Sequence, residues 1–81
     1  TAMAKTDSFE AERPRLVRLA GRILADDAEA EDIVQQACLR LHHSDQEIHN
    51  LGGWLTTVTT RLCLDRLRAK VPVPVDDDVE P

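Results

Sequence analysis

The chain has 81 residues, of which 42% are hydrophobic, 31% are charged and only 2% are aromatic. A chain of this length forms one domain, and its single core covers only about 60% of the surface that the unfolded chain exposes. No apolar run approaches the roughly 18 residues of a membrane span and no signal peptide is recognisable, so we expect a cytoplasmic protein without membrane contact.

The first predicted element is a helix from about Phe9 to Leu24. Its apolar residues recur at helical spacing and are Leu16, Val17, Leu19, Ala20, Ile23 and Leu24. Pro14 lacks a backbone N–H and its ring clashes with the preceding turn, so we expect it to kink or divide this helix. Residues 1–7 are expected to be a flexible N-terminus, because Thr1 to Ala4 resemble the remnant of an expression tag.

The second predicted helix, Asp26 to Leu41, has the clearest amphipathic pattern. One apolar stripe on a 3.6-residue period contains Ala30, Ile33, Val34, Ala37, Cys38 and Leu41. Asp26 stands where an N-cap belongs, and Glu29 three residues later completes the pattern of a capping box.

A polar loop, HHSDQEIHN (His42 to Asn50), leads to a third predicted helix, WLTTVTTRLCLDRLRA (Trp54 to Ala69). The apolar stripe of the third helix contains Trp54, Leu55, Val58, Leu62 and Cys63, and Asn50 is a plausible N-cap. Gly52, Gly53 and four threonines disfavour this helix in isolation, so packing must stabilise it.

These elements predict an all-α, compact three-helix bundle formed by residues 8–70. Its buried cluster is expected to contain Ile33, Val34, Leu41, Leu55, Val58 and Leu62. Cys38 and Cys63 lie on apolar faces, which predicts reduced, buried thiols. Residues 71–81, VPVPVDDDVEP, alternate valine with proline and then become acidic, so we expect a disordered interdomain linker.

The charge is segregated along the chain. Counting Lys and Arg against Asp and Glu, residues 1–25 carry +2 and residues 51–70 carry +3, whereas residues 26–50 carry −6 and residues 71–81 carry −4. The total of −5 argues against tight nonspecific DNA binding, but phosphate contact depends on the local density of basic residues. An acidic helix followed by a basic one suits a protein that holds another protein with the first and DNA with the second.

Residues Phe9 to Ala69 resemble domain 2 of the extracytoplasmic-function (group 4) bacterial sigma factors. ERPRLVRLAGRIL resembles region 2.1, DAEAEDIVQQACLRL resembles region 2.2, and IHNLGGWLTTVTTRLCLDRLRA resembles regions 2.3 and 2.4. The wording WLTTVTTRLCLDRLR is similar to that of the actinobacterial subfamily with a SnoaL-like C-terminal extension.

The resemblance implies three roles. Region 2.2 binds the coiled-coil clamp helices of the β′ subunit of RNA polymerase, the loop after it captures a flipped base of the promoter −10 element on the non-template strand, and the final helix lies against DNA during melting. It also implies regulation by an anti-sigma factor or by a C-terminal domain, and it implies no cofactor.

The polymerase-binding candidates lie on the face of the second helix opposite its core stripe. They are Asp32, Gln35, Gln36, Leu39 and Arg40. Their polar groups suit the side chains of a basic coiled coil, with Leu39 as an apolar anchor. Gln36 stands where the family often has glutamate, which removes one charge. The alternative is an ordinary solvated helix face.

The base-recognition candidates are the polar residues of the loop: His42, His43, Ser44, Asp45, Gln46, Glu47, His49 and Asn50. Their donors and acceptors suit the Watson–Crick edge of an extruded base. The alternative is a loop that only connects two helices, with Ile48 packed inward. We expect no metal site, because Cys38 and His42 lack a second ligand pair at zinc-type spacing.

The candidates for contact with the DNA backbone are Thr57, Thr60, Arg61, Arg66, Arg68 and Lys70. The alternative is charge pairing within the helix, such as Arg61 with Asp65. Trp54 is expected to pack into the core rather than to act as a wedge at the melting fork.

Two classes of function are compatible with these patterns. The first is a sigma-factor domain that binds polymerase and the −10 element; the second is a helical regulatory or adaptor module that binds only protein. An enzyme is not expected, because no nucleophile has a base at a suitable spacing. Salt-dependent binding to a −10 oligonucleotide separates the two classes.

Overall fold

The computed structural model describes residues 2–45 and 47–70, with the backbone alone for residues 2–7. This part of the chain forms three helices, α1 (Ala2–Leu24), α2 (Asp27–His42) and α3 (Leu51–Lys70). Each helix packs against the other two, which confirms the predicted all-α three-helix fold. The predicted linker, residues 71–81, lies outside the described residues.

The first helix is longer than predicted. It begins at Ala2 and continues through Pro14 without a break, so Pro14 does not divide it, and the kink at Pro14 stays a prediction. Pro14 has no N–H for the carbonyl of Glu10, which removes one helical hydrogen bond. The apolar face compensates, because its side chains are buried on both sides of the proline: Phe9, Leu16, Ala20 and Leu24.

A tight turn reverses the chain between α1 and α2. Ala25 has φ 56°, in the left-handed region that costs a residue with a Cβ about 1 kcal/mol. Asp26 then caps α2 as predicted, since its Oδ1 accepts a hydrogen bond from the Glu29 backbone N–H at 3.1 Å. The reciprocal half of the predicted capping box does not form, because the Glu29 carboxylate instead meets Lys70 of α3, 2.7 Å from its Nζ.

Asn50 caps α3, which also confirms the sequence prediction. Its Oδ1 accepts a hydrogen bond from the Gly53 N–H at 3.0 Å, and the helix begins at Leu51, with Gly52 and Gly53 in its first turn. A Cβ on residue 53 would lie 2.8 Å from the Asn50 Nδ2. A side chain at residue 53 would therefore require the capping side chain of Asn50 to shift.

The core lies between the three helices and contains five of the six residues predicted for it: Ile33, Val34, Leu41, Leu55 and Leu62. The prediction for Val58 is wrong, since it is only half-buried. Thr59 is fully buried instead, because residues 55, 59 and 62 form the inward line of α3 and Val58 lies at its edge.

Both cysteines are free. Cys63 is buried as predicted, but Cys38 is only half-buried, at the edge of the α2 stripe. Burial raises the pKa of both thiols. No helix in the described part of the chain is long and apolar enough to cross a membrane.

Candidate protein and nucleic-acid interface

The outer face of α2 presents most of the predicted polymerase-binding residues to solvent. Asp32, Gln35 and Arg40 are exposed, and Leu39 keeps 51% of its surface accessible. Gln36 is half-buried, and its Nε2 donates a hydrogen bond to the Asp32 Oδ2 at 3.1 Å. The face therefore combines one apolar side chain with polar neighbours, as the sequence predicted.

Asp32 is exposed but already has a partner within the domain. The Arg66 Nη2 donates a hydrogen bond to its Oδ2 at 2.8 Å. This bond, followed by the one from Gln36, lowers the pKa of the Asp32 carboxyl, and the same pairing raises the pKa of Arg66. Asp32, predicted to contact polymerase, and Arg66, predicted to contact DNA, are therefore paired with each other.

The cations at the end of α3 are largely neutralised by α2. Lys70 pairs with Glu29, and the Arg66 Nη1 lies 3.8 Å from the Glu29 Oε1. In contrast, Arg61 and Arg68 form no ion pair with any described residue, and the alternative pairing of Arg61 with Asp65 is not present there. Two of the four predicted basic contacts are therefore free and two are occupied.

A groove of about 540 Å³ opens where α2, the loop and α3 meet, and this surface is called the loop groove below. It is lined by Arg40, His43, Ser44, Asp45 and Trp54. Three of the predicted base-recognition residues therefore lie together. Trp54 is half-buried: it packs against the core, as expected, and also forms part of the groove wall.

The remaining loop candidates lie elsewhere. His42 is the last residue of α2 rather than a loop residue, and its Nδ1 lies 3.0 Å from the Cys38 carbonyl oxygen. Asn50 uses its amide oxygen in the α3 cap, while Ile48 packs against the core. Glu47 and His49 are exposed outside the groove lining, and Gln46 lies outside the described residues.

The Cys38 and His42 pair does not extend to a metal centre. The Cys38 Sγ lies 3.6 Å from the His42 Nδ1. Within residues 2–45 and 47–70, no group of three or more histidine, cysteine, aspartate or glutamate side chains is placed to hold a metal ion.

A second groove runs along the outer face of α3 and is called the threonine groove. It has a volume of about 310 Å³ and is lined by Thr56, Thr57, Thr60, Arg61 and Leu64. It brings together three of the predicted backbone contacts. Thr56 and Leu64, which is 46% exposed, were not predicted, although their spacing from Thr57 and Thr60 places them on the same helix face.

A third groove, of about 330 Å³, lies between α1 and α3 and is called the arginine groove. Its lining is Arg15, Arg18, Leu19, Arg22 and Thr56. The sequence patterns indicated no role for these arginines. Their spacing of three and four residues could have indicated one, because it places all three on one face of α1.

The chain is similar to known proteins over most of its length. The family model for Sigma-70 region 2 matches residues 8–71. The ECF RNA polymerase sigma factor SigJ of Mycobacterium tuberculosis (strain ATCC 25618 / H37Rv) is 46% identical over 65 residues, covering 80% of this chain and 21% of that protein. The probable ECF RNA polymerase sigma factor SigI of strain CDC 1551 / Oshkosh is 43% identical over 63 residues, covering 76% of this chain.

The chain spans only 21% and 22% of the length of these two relatives. No solved structure matches it. The SnoaL-like extension stays a prediction. The family match, the identity to the relatives and the all-α bundle together show that the chain belongs to the sigma-70 family, as region 2 of an extracytoplasmic-function sigma factor.

Proposed function

We propose that this domain recognises and melts the promoter −10 element as part of a sigma factor that docks on the β′ clamp helices of RNA polymerase and initiates transcription. The observation that carries the proposal is the loop groove, which places a half-buried indole beside polar loop side chains. The membership of the sigma-70 family supports promoter DNA and RNA polymerase as the partners.

The loop groove has the chemistry that an extruded base needs. The Trp54 ring offers a stacking surface, and a base stacked on an aromatic side chain gains about 1–3 kcal/mol. His43 and Asp45 offer donors and acceptors to the base edge, and Arg40 adds a cation for the adjoining phosphate.

The outer face of α2 suits a second partner. Gln35 and Leu39 are exposed and make no hydrogen bond to another described side chain, so a protein partner can cover them without unpacking the bundle. The negative charge of α2 suits a basic coiled coil, although Glu29, Glu31 and Asp32 already pair with cations of the domain. These features support docking on the clamp helices.

The base-recognition proposal is tested by selection from a randomised pool of single-stranded oligonucleotides bound to the domain with core polymerase. We expect replacement of residues 43–49 by the loop of a related sigma factor to change the preferred base at one position and to leave polymerase binding intact. Keeping His42 and Asn50 preserves the helix end and the cap.

A pair of single substitutions provides the matched control. His43→Ala, in the groove, should shift the preference, whereas His49→Ala, exposed and outside the groove lining, should not. A loop replacement that weakens every sequence equally would show that the loop is structural and that specificity lies elsewhere.

The docking proposal is tested by pull-down of core polymerase. The double variant Gln35→Ala, Leu39→Ala should lose binding, while Leu64→Ala, which truncates a leucine of similar exposure on α3, should retain it. A folded double variant that still binds polymerase would contradict the docking. Polymerase binding without any binding of single-stranded DNA would favour the adaptor module.

A further inference from the structure

We infer that the arginine groove between α1 and α3 binds the phosphate backbone of single-stranded DNA, with Arg18 and Arg22 as its principal ligands. The inference rests on the proposed function and extends the DNA-binding surface to α1, a helix to which neither the sequence nor the family resemblance assigned a DNA contact.

Arg15 builds the groove rather than serving as a free ligand. Its Nη2 lies 2.7 Å from the Glu12 Oε1, and its Nη1 donates to the Thr56 Oγ1 at 2.9 Å. It also donates to the Gly52 carbonyl at 3.3 Å. These bonds hold α1 against the first turns of α3 and fix the position of the groove.

Arg18 and Arg22 differ from Arg15 in having no partner among the described residues. Both are exposed, and neither forms an ion pair or hydrogen bond with a described residue. They lie one turn apart, roughly 6 Å along the helix axis. A guanidinium presents its donors in a planar fork that matches a phosphate, so two unpaired forks on one groove wall suit a polyanion.

The arginine groove adjoins the threonine groove at one shared residue. Thr56 lines both, and neither lining contains an acidic side chain. Together they form a track with Arg18 and Arg22 at one end and Arg61 at the other. The Thr57 and Thr60 hydroxyls along it can donate to phosphate oxygens, whereas the Thr56 hydroxyl already donates to the Gly52 carbonyl.

Arg66 and Lys70 are paired with acidic residues of α2. Arg18, Arg22 and Arg61, which line the track, have no such pair among the described residues. The exposed Leu64 and the run of hydroxyls favour a nucleic acid over an acidic peptide, because a strand offers sugars and bases as well as phosphates.

The test is the salt dependence of binding between the 81-residue chain and a fluorescent oligothymidine, measured by anisotropy from low salt upward. Each phosphate neutralised on a single strand contributes about 0.7 to the slope of log K against log salt, so Arg18→Gln with Arg22→Gln should reduce the slope by about 1.4. Arg22→Gln alone should give about half of that reduction.

Arg13→Gln is the matched control. It removes the same charge from the same helix, but Arg13 pairs with Glu31 at 3.2 Å and does not line the groove. We expect its slope to equal that of the unsubstituted chain. Circular dichroism verifies that all three variants fold.

Several outcomes would overturn the inference, and they are distinguishable. A double variant with an unchanged slope, while Arg61→Gln reduces it, would remove the role of α1 and leave the proposed function standing. An aspartate peptide that binds the chain through Arg18 and Arg22 without displacing DNA would make the groove a protein-docking surface. An unsubstituted chain with no salt-dependent binding of its own would overturn the inference, and the absence of binding with core polymerase present would remove the proposed function as well.

Discussion

Among the described residues, Thr59 is the one polar side chain that is buried in the core. It is fully buried, and its hydroxyl has no hydrogen-bond partner within residues 2–45 and 47–70. An unsatisfied buried hydroxyl costs about 1–3 kcal/mol, whereas the rest of the threonine side chain packs as valine would. The methyl group of Thr59 therefore stabilises the core by packing, whereas its hydroxyl lowers the stability.

We expect Thr59→Val to raise the free energy of unfolding by about 1 kcal/mol, because it replaces the hydroxyl by a methyl group of similar size. Thermal and urea unfolding measure the change. Thr57→Val, on the exposed face of α3, is the control and should change stability by less than about 0.5 kcal/mol. A lower stability of Thr59→Val would mean that the hydroxyl is hydrogen-bonded in solution.

At the scale of the element, α3 depends on its packed face. Its glycines and threonines are weak helix formers, so the helix is stabilised mainly by the burial of Leu55, Leu62 and Cys63. Leu62 is 8% exposed, whereas Leu64, two residues later, is 46% exposed. The two leucines therefore separate the contribution of burial from that of residue type.

We expect Leu62→Ala to lower the free energy of unfolding by about 2–5 kcal/mol, through lost transfer energy and the cavity that remains. Leu64→Ala should cost less than about 0.5 kcal/mol, because its side chain is already half in solvent. Chemical unfolding of both variants provides the comparison. Equal melting temperatures for Leu62→Ala and the unsubstituted chain would contradict the packing of α3.

The ion pairs between α2 and α3 predict a dependence of stability on pH. The hydrogen bond from Arg66 lowers the pKa of Asp32, so the folded chain binds fewer protons there than the unfolded chain. The stabilisation is present above the unfolded-state pKa of Asp32 and is lost as the pH falls through its folded-state pKa.

Arg66→Gln removes this donor. We expect it to melt below the unsubstituted chain near neutral pH and to approach it as the pH falls below the ordinary range of aspartate. Arg61→Gln removes the same charge without breaking an ion pair among the described residues, so its difference from the unsubstituted chain should vary less with pH. A gap for Arg66→Gln that stays constant through the acid range would contradict the role of Asp32.

For the whole molecule, the proposed function makes the affinity of the isolated domain for DNA depend on the arrangement of charge. Glu29 contacts both Arg66 and Lys70, so two predicted phosphate contacts are engaged within the protein. Under the proposed function, contact with DNA would require the free energy to separate Lys70 from Glu29 and Arg66 from Asp32 and Glu29.

We expect Glu29→Gln to strengthen binding to a single-stranded oligonucleotide and to steepen the salt slope by about 0.7, because it releases Lys70 to a phosphate while Arg66 keeps its bond to Asp32. Glu31→Gln is the control, since it removes the same charge but releases Arg13, away from the three grooves. Equal increases in affinity for both variants would show an effect of net charge alone.

The local features of this protein could be predicted from its sequence. The helix caps at Asp26 and Asn50, the apolar stripe of α2 and the all-α fold depend on residues within a few positions of one another. The exposure of Gln35 and Leu39 followed from the same helical periodicity, because residues opposite an apolar stripe face away from the core.

The tertiary structure decided everything that depends on how the helices face each other. Thr59 rather than Val58 lies in the core because of the rotation of α3 about its axis. The pattern of apolar and polar residues in α3 does not specify that rotation. The pairing of Glu29 and Asp32 with Arg66, the gathering of His43 and Trp54 in one groove, and the alignment of the α1 arginines with Thr56 join residues far apart in sequence. The spacing of residues along the chain does not predict these distances, because they are set only when the apolar faces of the three helices pack together.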